Sequence, residues 1–407
     1  MPIRDTPIWL DRFPKTRRPS YPRFKGDSET DVVIVGGGLT GCACAWSFAN
    51  AGVRTALLES ETLGRGGTGE SVGLIREDFD ASFRETVQAH GLRASRTMWH
   101  TMRRAALDLA AVLRRLEIRC DLQPCDFLTI ARAGSENGRM LTREYQSRRD
   151  AGLEHSWLKP AALKRETAVA GDGAIRTHGF SIDPYRACIG LSATAVSRGA
   201  AVYEHSPVRR IRAGRKGVQV STANGTLKAE AVIVATSAPL QDLRALRRHI
   251  SVSDTYAVVT RQLPAAVRRE LGSRASVLLD TEGPPHTLRW LKDDRALFAG
   301  ADQGAVADRG RDKALVQRGG QLMYELSVMY PAISGQPAEW AWSSKHYESV
   351  DRLPFVGLHR NFPRHLFAMA PGRHGAAFAW LAARILLRRY QKEPAKGDDL
   401  FGFSRVL

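Results

Sequence analysis

Apolar residues in this chain form short uninterrupted runs that alternate with stretches of helical spacing. Val32–Val35 and residues 231–235 are such runs, and they predict strands buried on both faces of a parallel sheet. From residue 87 to 116 the apolar side chains recur at helical spacing, which predicts one long amphipathic helix. A second helix is predicted after Asp183-Pro184, a cap followed by a first-turn proline. The alternation of strands and helices predicts an α/β protein.

Turn residues place the remaining elements. Asn224-Gly225 predicts a hairpin between short strands at 218–222 and 227–229. Further strands are predicted at 201–204 and 366–368, a hairpin within 288–300, and a helix from 376 to about 390. Residues 1–30 are polar and rich in proline, which predicts an extended arm lying over a domain.

The run at 32–35 leads directly into Gly36-Gly37-Gly38-Leu39-Thr40-Gly41, and the next strand ends at Glu59. In a dinucleotide fold Gly36 permits the tight turn, Gly38 lets the backbone approach a pyrophosphate, and Gly41 allows close packing of helix on strand. The helix N-terminus favours the phosphates. Glu59 would accept hydrogen bonds from a ribose and repel a 2′-phosphate, so the motif predicts FAD or NAD rather than NADP.

Composition excludes several classes of protein. At 407 residues and 43% hydrophobic content, the chain is long enough for two or more globular domains, and it contains no apolar run of membrane-spanning length. The net charge of +18 comes mostly from scattered arginine pairs. Because no basic stripe is interleaved with aromatic residues, nucleic acid is not an expected partner, whereas peripheral contact with a membrane surface stays open.

The cysteines and the N-terminus bear on localisation. Five cysteines form no metal-ligand pattern and no disulfide framework, and no apolar segment of secretory length follows the basic N-terminal residues. We therefore expect reduced thiols, no bound metal and a cytoplasmic protein.

Five segments resemble the FAD-dependent amine and amino-acid oxidoreductases of the D-amino-acid oxidase superfamily, near gamma-glutamylputrescine oxidoreductase and sarcosine or glycine oxidase. They are residues 31–41 with Glu59, 64–73, 182–208 with 232–236, 288–302, and 351–357 with 372–375. The resemblance implies a Rossmann-like FAD-binding domain, discontinuous in sequence, and an α+β substrate domain on a mixed sheet. The implied FAD-binding domain comprises 1–80, 175–240 and 349–407; the substrate domain comprises 81–174 and 241–348.

The resemblance also implies the residues that hold FAD, without a covalent bond. Relatives that attach FAD do so through a Cys near 341–344 or a His near the second glycine stretch, and the chain has neither there. The expected FAD-binding residues are Gly36, Gly38, Leu39, Thr40, Gly41, Glu59, Ser60, Gly67, Thr68, Gly69, Gly73, Leu74, Val208, Ala235, Thr236, Gly372, Arg373, His374 and Gly375.

The implied reaction moves a hydride from the Cα of an amine or amino acid to flavin N5 and forms an imine. His374 is expected to contact flavin or substrate, with capping of the C-terminal helix as the alternative. Arg289 is expected to meet a substrate carboxylate, with an exposed hairpin arginine as the alternative. Tyr256, Trp290, Trp342 and Tyr347 are candidate pocket aromatics, and Lys345 and His346 are candidates to face the flavin.

Three departures from the resemblance affect these expectations. Glu70 stands where relatives often carry Arg, and Ser237 replaces a common glycine. No lysine occurs between Lys228 and Lys292, where sarcosine-oxidase-like relatives place one beside the flavin to assist oxygen reduction. The electron acceptor, oxygen or another carrier, therefore stays open. The alternatives are an FAD monooxygenase, an NAD-dependent dehydrogenase and a non-catalytic flavin-bearing subunit.

Overall fold

The computed structural model describes residues 3–132, 136–373 and 375–406. Within these ranges the α-helices are, in chain order, α1 (Ile8–Arg12), α2 (Leu39–Asn50), α3 (Gly67–Glu70), α4 (Phe83–His90), α5 (Leu92–Arg115), α6 (Glu136–Asp150), α7 (Pro160–Thr167), α8 (Pro184–Ser197), α9 (Ala265–Arg268), α10 (Arg311–Met329) and α11 (Gly375–Tyr390).

The strands form three sheets. In chain order they are β1 (Ser28–Glu29), β2 (Val32–Val35), β3 (Thr55–Leu58), β4 (Leu74–Ile75), β5 (Gln123–Arg132), β6 (Ser156–Leu158), β7 (Gly171–Ser181), β8 (Ala201–Tyr203), β9 (Arg210–Ala213), β10 (Val218–Ser221), β11 (Thr226–Ala229), β12 (Ala231–Ser237), β13 (Ile250–Thr260), β14 (Val277–Asp280), β15 (Thr287–Leu291), β16 (Arg295–Gly304), β17 (Ala338–Ser349), β18 (Phe355–His359) and β19 (Phe362–Met369).

A six-stranded sheet carries the first glycine motif, in the order β18-β19-β12-β2-β3-β8. The pairings from β19 to β8 are parallel, and β18 adds an antiparallel edge. All four residues of β2 and of β3 are buried, because α2, α8 and α11 pack on one face of the sheet and the strands β10 and β11 pack on the other. This doubly covered parallel sheet matches the predicted Rossmann-like unit.

A nine-stranded mixed sheet, β17-β13-β16-β15-β14-β5-β7-β4 with β6 beside β7, forms the second layer. A smaller four-stranded sheet, β1-β11-β10-β9, contains the predicted hairpin around Asn224-Gly225. The mixed α/β architecture is therefore the predicted one.

Two elements differ from the sequence-based expectation. The helix predicted from 87 to 116 is divided at Gly91, whose φ of +78° ends α4 and starts α5. Ser82 forms a capping box with Glu85 at the start of α4, a start signal upstream of the predicted one. Helix α5 packs against α11, so residues 92–115 lie on the core of the six-stranded sheet. The domain boundaries themselves stay a prediction.

The predicted N-terminal arm contains the short helix α1. The backbone of Arg4 pairs with β17 through Glu339 and Ala341, at 2.9 Å for each hydrogen bond. Trp9 is buried and donates its indole N–H to the carbonyl of Ser71 at 2.8 Å. The arm thus joins β17 to the glycine-rich stretch after β3. Among the helices of the described residues, none combines the length and apolar character needed to cross a bilayer.

Candidate active site

A cavity of about 590 Å³ opens at the carboxyl ends of β2, β3 and β12. Its wall includes Val35, Leu58 and Ala235 from the six-stranded sheet, and Tyr256 and Trp342 from the nine-stranded sheet. Ligands of open parallel sheets bind at this edge, and the volume lies in the range of small-molecule and cofactor pockets.

Three glycines shape the first part of the wall in different ways. Gly36 has a φ of +107°, and a Cβ there would lie 2.7 Å from the carbonyl oxygen of Ala235. A Cβ on Gly41 would lie 1.8 Å from the carbonyl oxygen of Gly36. These two glycines are therefore required by the protein's own packing. A Cβ on Gly38 would meet only the hydroxyl of Thr68, at 3.1 Å, so Gly38 leaves its cavity side open.

The N-terminus of α2 faces this open side. Gly38 is its N-cap and has no side chain of its own to cap the helix. The backbone N–H of Leu39 donates to Oγ1 of Thr68 at 2.8 Å. The other N–H groups of the first turn have no helical carbonyl to bond, and the helix dipole adds positive potential. This part of the cavity thus has the geometry that suits a phosphate group.

Glu59 lies at the end of β3, beside the glycine loop. Its Oε2 accepts a hydrogen bond from the N–H of Gly37 at 2.6 Å, and its Oε1 accepts from Ser60 Oγ at 2.9 Å and from the N–H of Glu61 at 2.8 Å. The carboxylate is fixed at the cavity wall. A fixed carboxylate here and an open glycine before a helix N-terminus fit the adenosine and pyrophosphate of FAD.

Most expected FAD-binding residues line the cavity, although their roles stay predictions. The lining members are Gly36, Gly38, Leu39, Thr40, Glu59, Ser60, Gly67, Thr68, Gly73, Leu74, Val208, Ala235, Thr236, Gly372, Arg373 and Gly375. Gly41 and Gly69 are not in the wall. A Cβ on Gly69 would lie 2.7 Å from the carbonyl oxygen of Gly64, so this glycine serves packing, as Gly41 does. His374 lies outside the described residues.

Arg289 is not in the cavity wall, which corrects the expected contact with a substrate carboxylate. Its Nη1 donates to three backbone carbonyls, those of Val72 and Ile182 at 2.8 Å and that of Gly73 at 2.9 Å. Its guanidinium lies 5.0 Å from the ring centre of Trp9, and burial lowers its pKa to about 10. Arg289 thus holds the glycine-rich stretch from behind, and it is not the exposed hairpin arginine of the alternative either.

The far end of the cavity is formed by β13 and β17. Tyr256, Trp342 and Tyr347 are in the wall, as are Lys345 and His346. Trp290 is not; its ring packs edge-on against Tyr330 in the core of the nine-stranded sheet. Aromatic side chains on two neighbouring strands give this end an apolar wall with polar groups set into it.

Charged residues that the sequence reasoning passed over also line this end. Asp254 accepts a hydrogen bond from Nζ of Lys345 at 3.3 Å and from the N–H of Val306 at 2.7 Å. Arg311, the first residue of α10, pairs with Asp308 at 3.2 Å. An Asp in the middle of an otherwise mostly apolar strand is the one local signal that could have marked Asp254.

The C-terminal glycine turn reaches the cavity through Gly372 and Arg373. Gly372 has a φ of +62°, and the backbone N–H of Arg373 donates to Oδ2 of Asp80 at 2.9 Å. The Arg373 side chain pairs with Asp302. Nε2 of His346 lies 3.6 Å from the same Asp80 oxygen, and burial lowers the pKa of His346 although Asp80 opposes that effect.

The segment at 351–357 supports the fold rather than the cavity. Asp351 pairs with Arg405 at 2.7 Å, and the guanidinium of Arg352 donates to the carbonyl of Asp80 at 2.6 Å.

Ser237, which replaces a common glycine, has a φ of +61° and lies in the cavity wall. A positive φ explains why a glycine is common at this position.

Two bacterial oxidoreductases are similar in sequence to the chain over most of its length. Gamma-glutamylputrescine oxidoreductase of Escherichia coli is 26% identical over 375 residues, which cover 90% of this chain and 85% of that protein. Glycine oxidase of Geobacillus kaustophilus is 28% identical over 345 residues, which cover 81% of this chain and 84% of that protein.

Solved structures share the fold. The crystal structure of glycine oxidase from Geobacillus kaustophilus superposes with a TM-score of 0.75 at 23% identity, covering 93% of this chain and 99% of that one. The L-amino acid deaminase from Proteus myxofaciens has a TM-score of 0.74 at 13% identity, with both chains fully covered.

The profile of one protein family matches residues 31–389, from the strand before the glycine loop to the end of the C-terminal helix. The match thus includes both large sheets and the cavity between their strand ends. The cofactor of the family is FAD, which the fixed Glu59 and the open face of Gly38 fit. The chain belongs to the DAO family of FAD-dependent oxidoreductases.

Proposed function

We propose that this FAD-dependent oxidoreductase oxidises the CH–NH or CH–NH₂ group of an amine or amino acid to an imine, which water then hydrolyses. The observation that carries the proposal is the continuity of the cavity. One space runs from Glu59 and the glycine loop to the wall of Tyr256, Trp342 and His346. It therefore offers a dinucleotide site and, beyond it, a smaller site for the substrate. The names of the glycine oxidase and gamma-glutamylputrescine oxidoreductase relatives support the choice of an amine donor.

When bound, FAD supplies the hydride acceptor at N5 of its flavin ring. The substrate nitrogen must be unprotonated for the reaction. Its lone pair drives hydride loss from Cα, and in an ammonium that pair is used to bind a proton. Because burial keeps the pKa of His346 below its usual value, its imidazole is neutral near pH 7 and can accept that proton. Burial raises the pKa of Tyr347, which therefore keeps its hydroxyl proton and can donate a hydrogen bond.

The C-terminal helix contributes positive potential at the other side of the cavity. Helix α11 begins at Gly375, which is in the wall beside Arg373. Free N–H groups and the positive end of the dipole favour negative charge that develops nearby. Arg289 is not available to a substrate carboxylate, because its Nη1 bonds to backbone carbonyls.

The proposal is tested by an anaerobic screen of the purified yellow protein against amines and amino acids. We expect at least one compound to bleach the flavin absorption and to yield the corresponding carbonyl product. His346→Gln should slow bleaching most near pH 7, where the imidazole is neutral and the substrate ammonium must still lose its proton to a group of the protein. A flavin that dithionite reduces but that no amine or amino acid bleaches would contradict the proposal.

A further inference from the structure

Glu70 is a charged residue of the cavity wall that the proposed reaction does not use. It is the last residue of α3, and its backbone carbonyl accepts a hydrogen bond from the indole N–H of Trp342 at 2.8 Å. This contact fixes the backbone of Glu70 against β17. Glu70 is therefore held at the substrate end of the cavity wall.

The surroundings of Glu70 leave its charge without a cationic partner. Burial raises its pKa, and a hydrogen bond with the Ser344 side chain opposes that rise. Across the described ranges, no ion pair to Glu70 occurs within 4 Å. A partly buried carboxylate with hydrogen bonds alone is less favourable than one that also meets a positive charge.

The cations nearest to Glu70 already have carboxylate partners. Lys345 lies 3.3 Å from Asp254, and Arg311 lies 3.2 Å from Asp308. Both raise the local potential, but neither is within ion-pair distance of Glu70. The site therefore lacks one positive charge that a ligand can supply.

We propose that Glu70 binds a second cationic group of the substrate, separate from the amine that is oxidised. The inference rests on the proposed function and narrows it to amines with two positive charges, such as diamines. The reacting nitrogen must be neutral for hydride transfer, and a carboxylate beside it would favour its protonated form. Glu70 thus fits the other end of the substrate, where a permanent ammonium is bound.

Binding is measured by calorimetry on the dithionite-reduced holoenzyme, which cannot oxidise the ligand. The probes are 1,3-diaminopropane to 1,8-diaminooctane, each paired with the monoamine of equal length. For at least one length we expect the wild type to bind the diamine about tenfold or more tightly, as a charge-assisted hydrogen bond provides. Glu70→Gln should remove this preference and leave monoamine affinity unchanged. Glu29→Gln, the same change at an exposed site on β1, should retain the preference.

Two results would overturn the inference. One is a wild type without preference for any diamine; the other is an equal loss of diamine and monoamine affinity in Glu70→Gln, which would place Glu70 at the shared amine. The unfolding midpoint of Glu70→Gln is expected to equal or exceed that of the wild type, since a partly buried charge without an ion-pair partner is removed. Failure of the proposed function is a separate result, because it appears as absence of bleaching in the oxidised enzyme whatever the binding preference.

Discussion

The carboxylate of Glu59 accepts a hydrogen bond from the backbone N–H of Gly37 at 2.6 Å. The carboxylate at the end of β3 therefore holds the glycine loop that follows β2. The ends of the two strands are thus fixed relative to each other. A ribose bound at Glu59 and a pyrophosphate at Gly38 would meet groups whose relative position is already fixed. Such preorganisation reduces the ordering cost of binding a flexible dinucleotide.

Glu59→Ala is expected to weaken FAD retention, because the variant loses the acceptor for the ribose hydroxyls and the bond to Gly37. A loss of about tenfold or more in FAD affinity follows from the removal of charge-assisted hydrogen bonds. The flavin-to-protein ratio and the dissociation constant of the reconstituted protein measure the effect. Full flavin content with unchanged affinity would contradict the assignment.

Gly38 and Gly41 are expected to respond differently to the same substitution. Gly38→Ala should fold, since its Cβ meets only Thr68 Oγ1 at 3.1 Å, but it should retain little FAD because the methyl group occupies the cavity side. Gly38→Val should be folded and colourless. Gly41→Ala places its Cβ 1.8 Å from the Gly36 carbonyl oxygen and should lower thermal stability instead. Normal flavin content in Gly38→Val would count against the whole cofactor site.

Arg289→Met is expected to destabilise the protein by about 3 kcal/mol, because three buried carbonyls lose their donor. Arg289→Lys should recover part of this loss, since an ammonium can bond some of the carbonyls. Denaturant unfolding measures both. A folded Arg289→Lys protein should show equal changes in KM for carboxylate substrates and simple amines. A selective increase in KM for carboxylates at unchanged stability would restore the role first expected for Arg289.

The sequence predicted the nucleotide end of the cavity better than the substrate end, for a physical reason. Gly36, Gly38 and Glu59 come from one continuous βαβ unit, so their spacing in sequence fixes their spacing in the fold. Asp254, Arg311 and Ser344 come from three distant segments, and only sheet pairing of β13 with β17 and the position of α10 bring them together. Residue type alone did not predict the partner of Arg289. An arginine could bind a substrate carboxylate, but this one donates to backbone carbonyls.

His286 makes the stability of the nine-stranded sheet dependent on pH. Its two ring nitrogens lie 2.8 Å from Asp280 and from Glu325. Burial alone would lower its pKa, but the hydrogen bond to Asp280 and both negative charges raise it overall. The resulting stabilisation is full below the unfolded pKa, about 6.5, and is lost as pH rises through the higher folded pKa.

The stability difference between wild type and His286→Gln should therefore be larger at pH 5.5 than at pH 9. Denaturant unfolding at both values measures it. Phe298, which stacks on His286 with ring centres 5.1 Å apart, remains in both proteins, so lost packing would appear as a difference independent of pH.

The reduced enzyme is expected to react more slowly with oxygen than with a quinone or dye. The interval between Lys228 and Lys292 contains no lysine, and the cavity cation Lys345 is paired with Asp254 at 3.3 Å. A compensated charge stabilises an oxygen anion poorly. Stopped-flow mixing with each acceptor measures the two rates, and Asp254→Asn, which frees the charge of Lys345, should raise the oxygen rate several-fold. Rapid, saturating hydrogen peroxide production without gain from the dye would identify a true oxidase.

The contacts of the N-terminal arm separate the order of synthesis from the order of assembly. Ile8, Trp9 and Leu10 are synthesised well before Arg289 and the β17 backbone that hold the arm. The arm must therefore wait until β17 has been made, with its apolar side chains exposed in the meantime. Its docking completes the wall at Ser71. Support of the cavity wall at Ser71 is thus tied to synthesis through β17, and chains truncated before β17 would lack it.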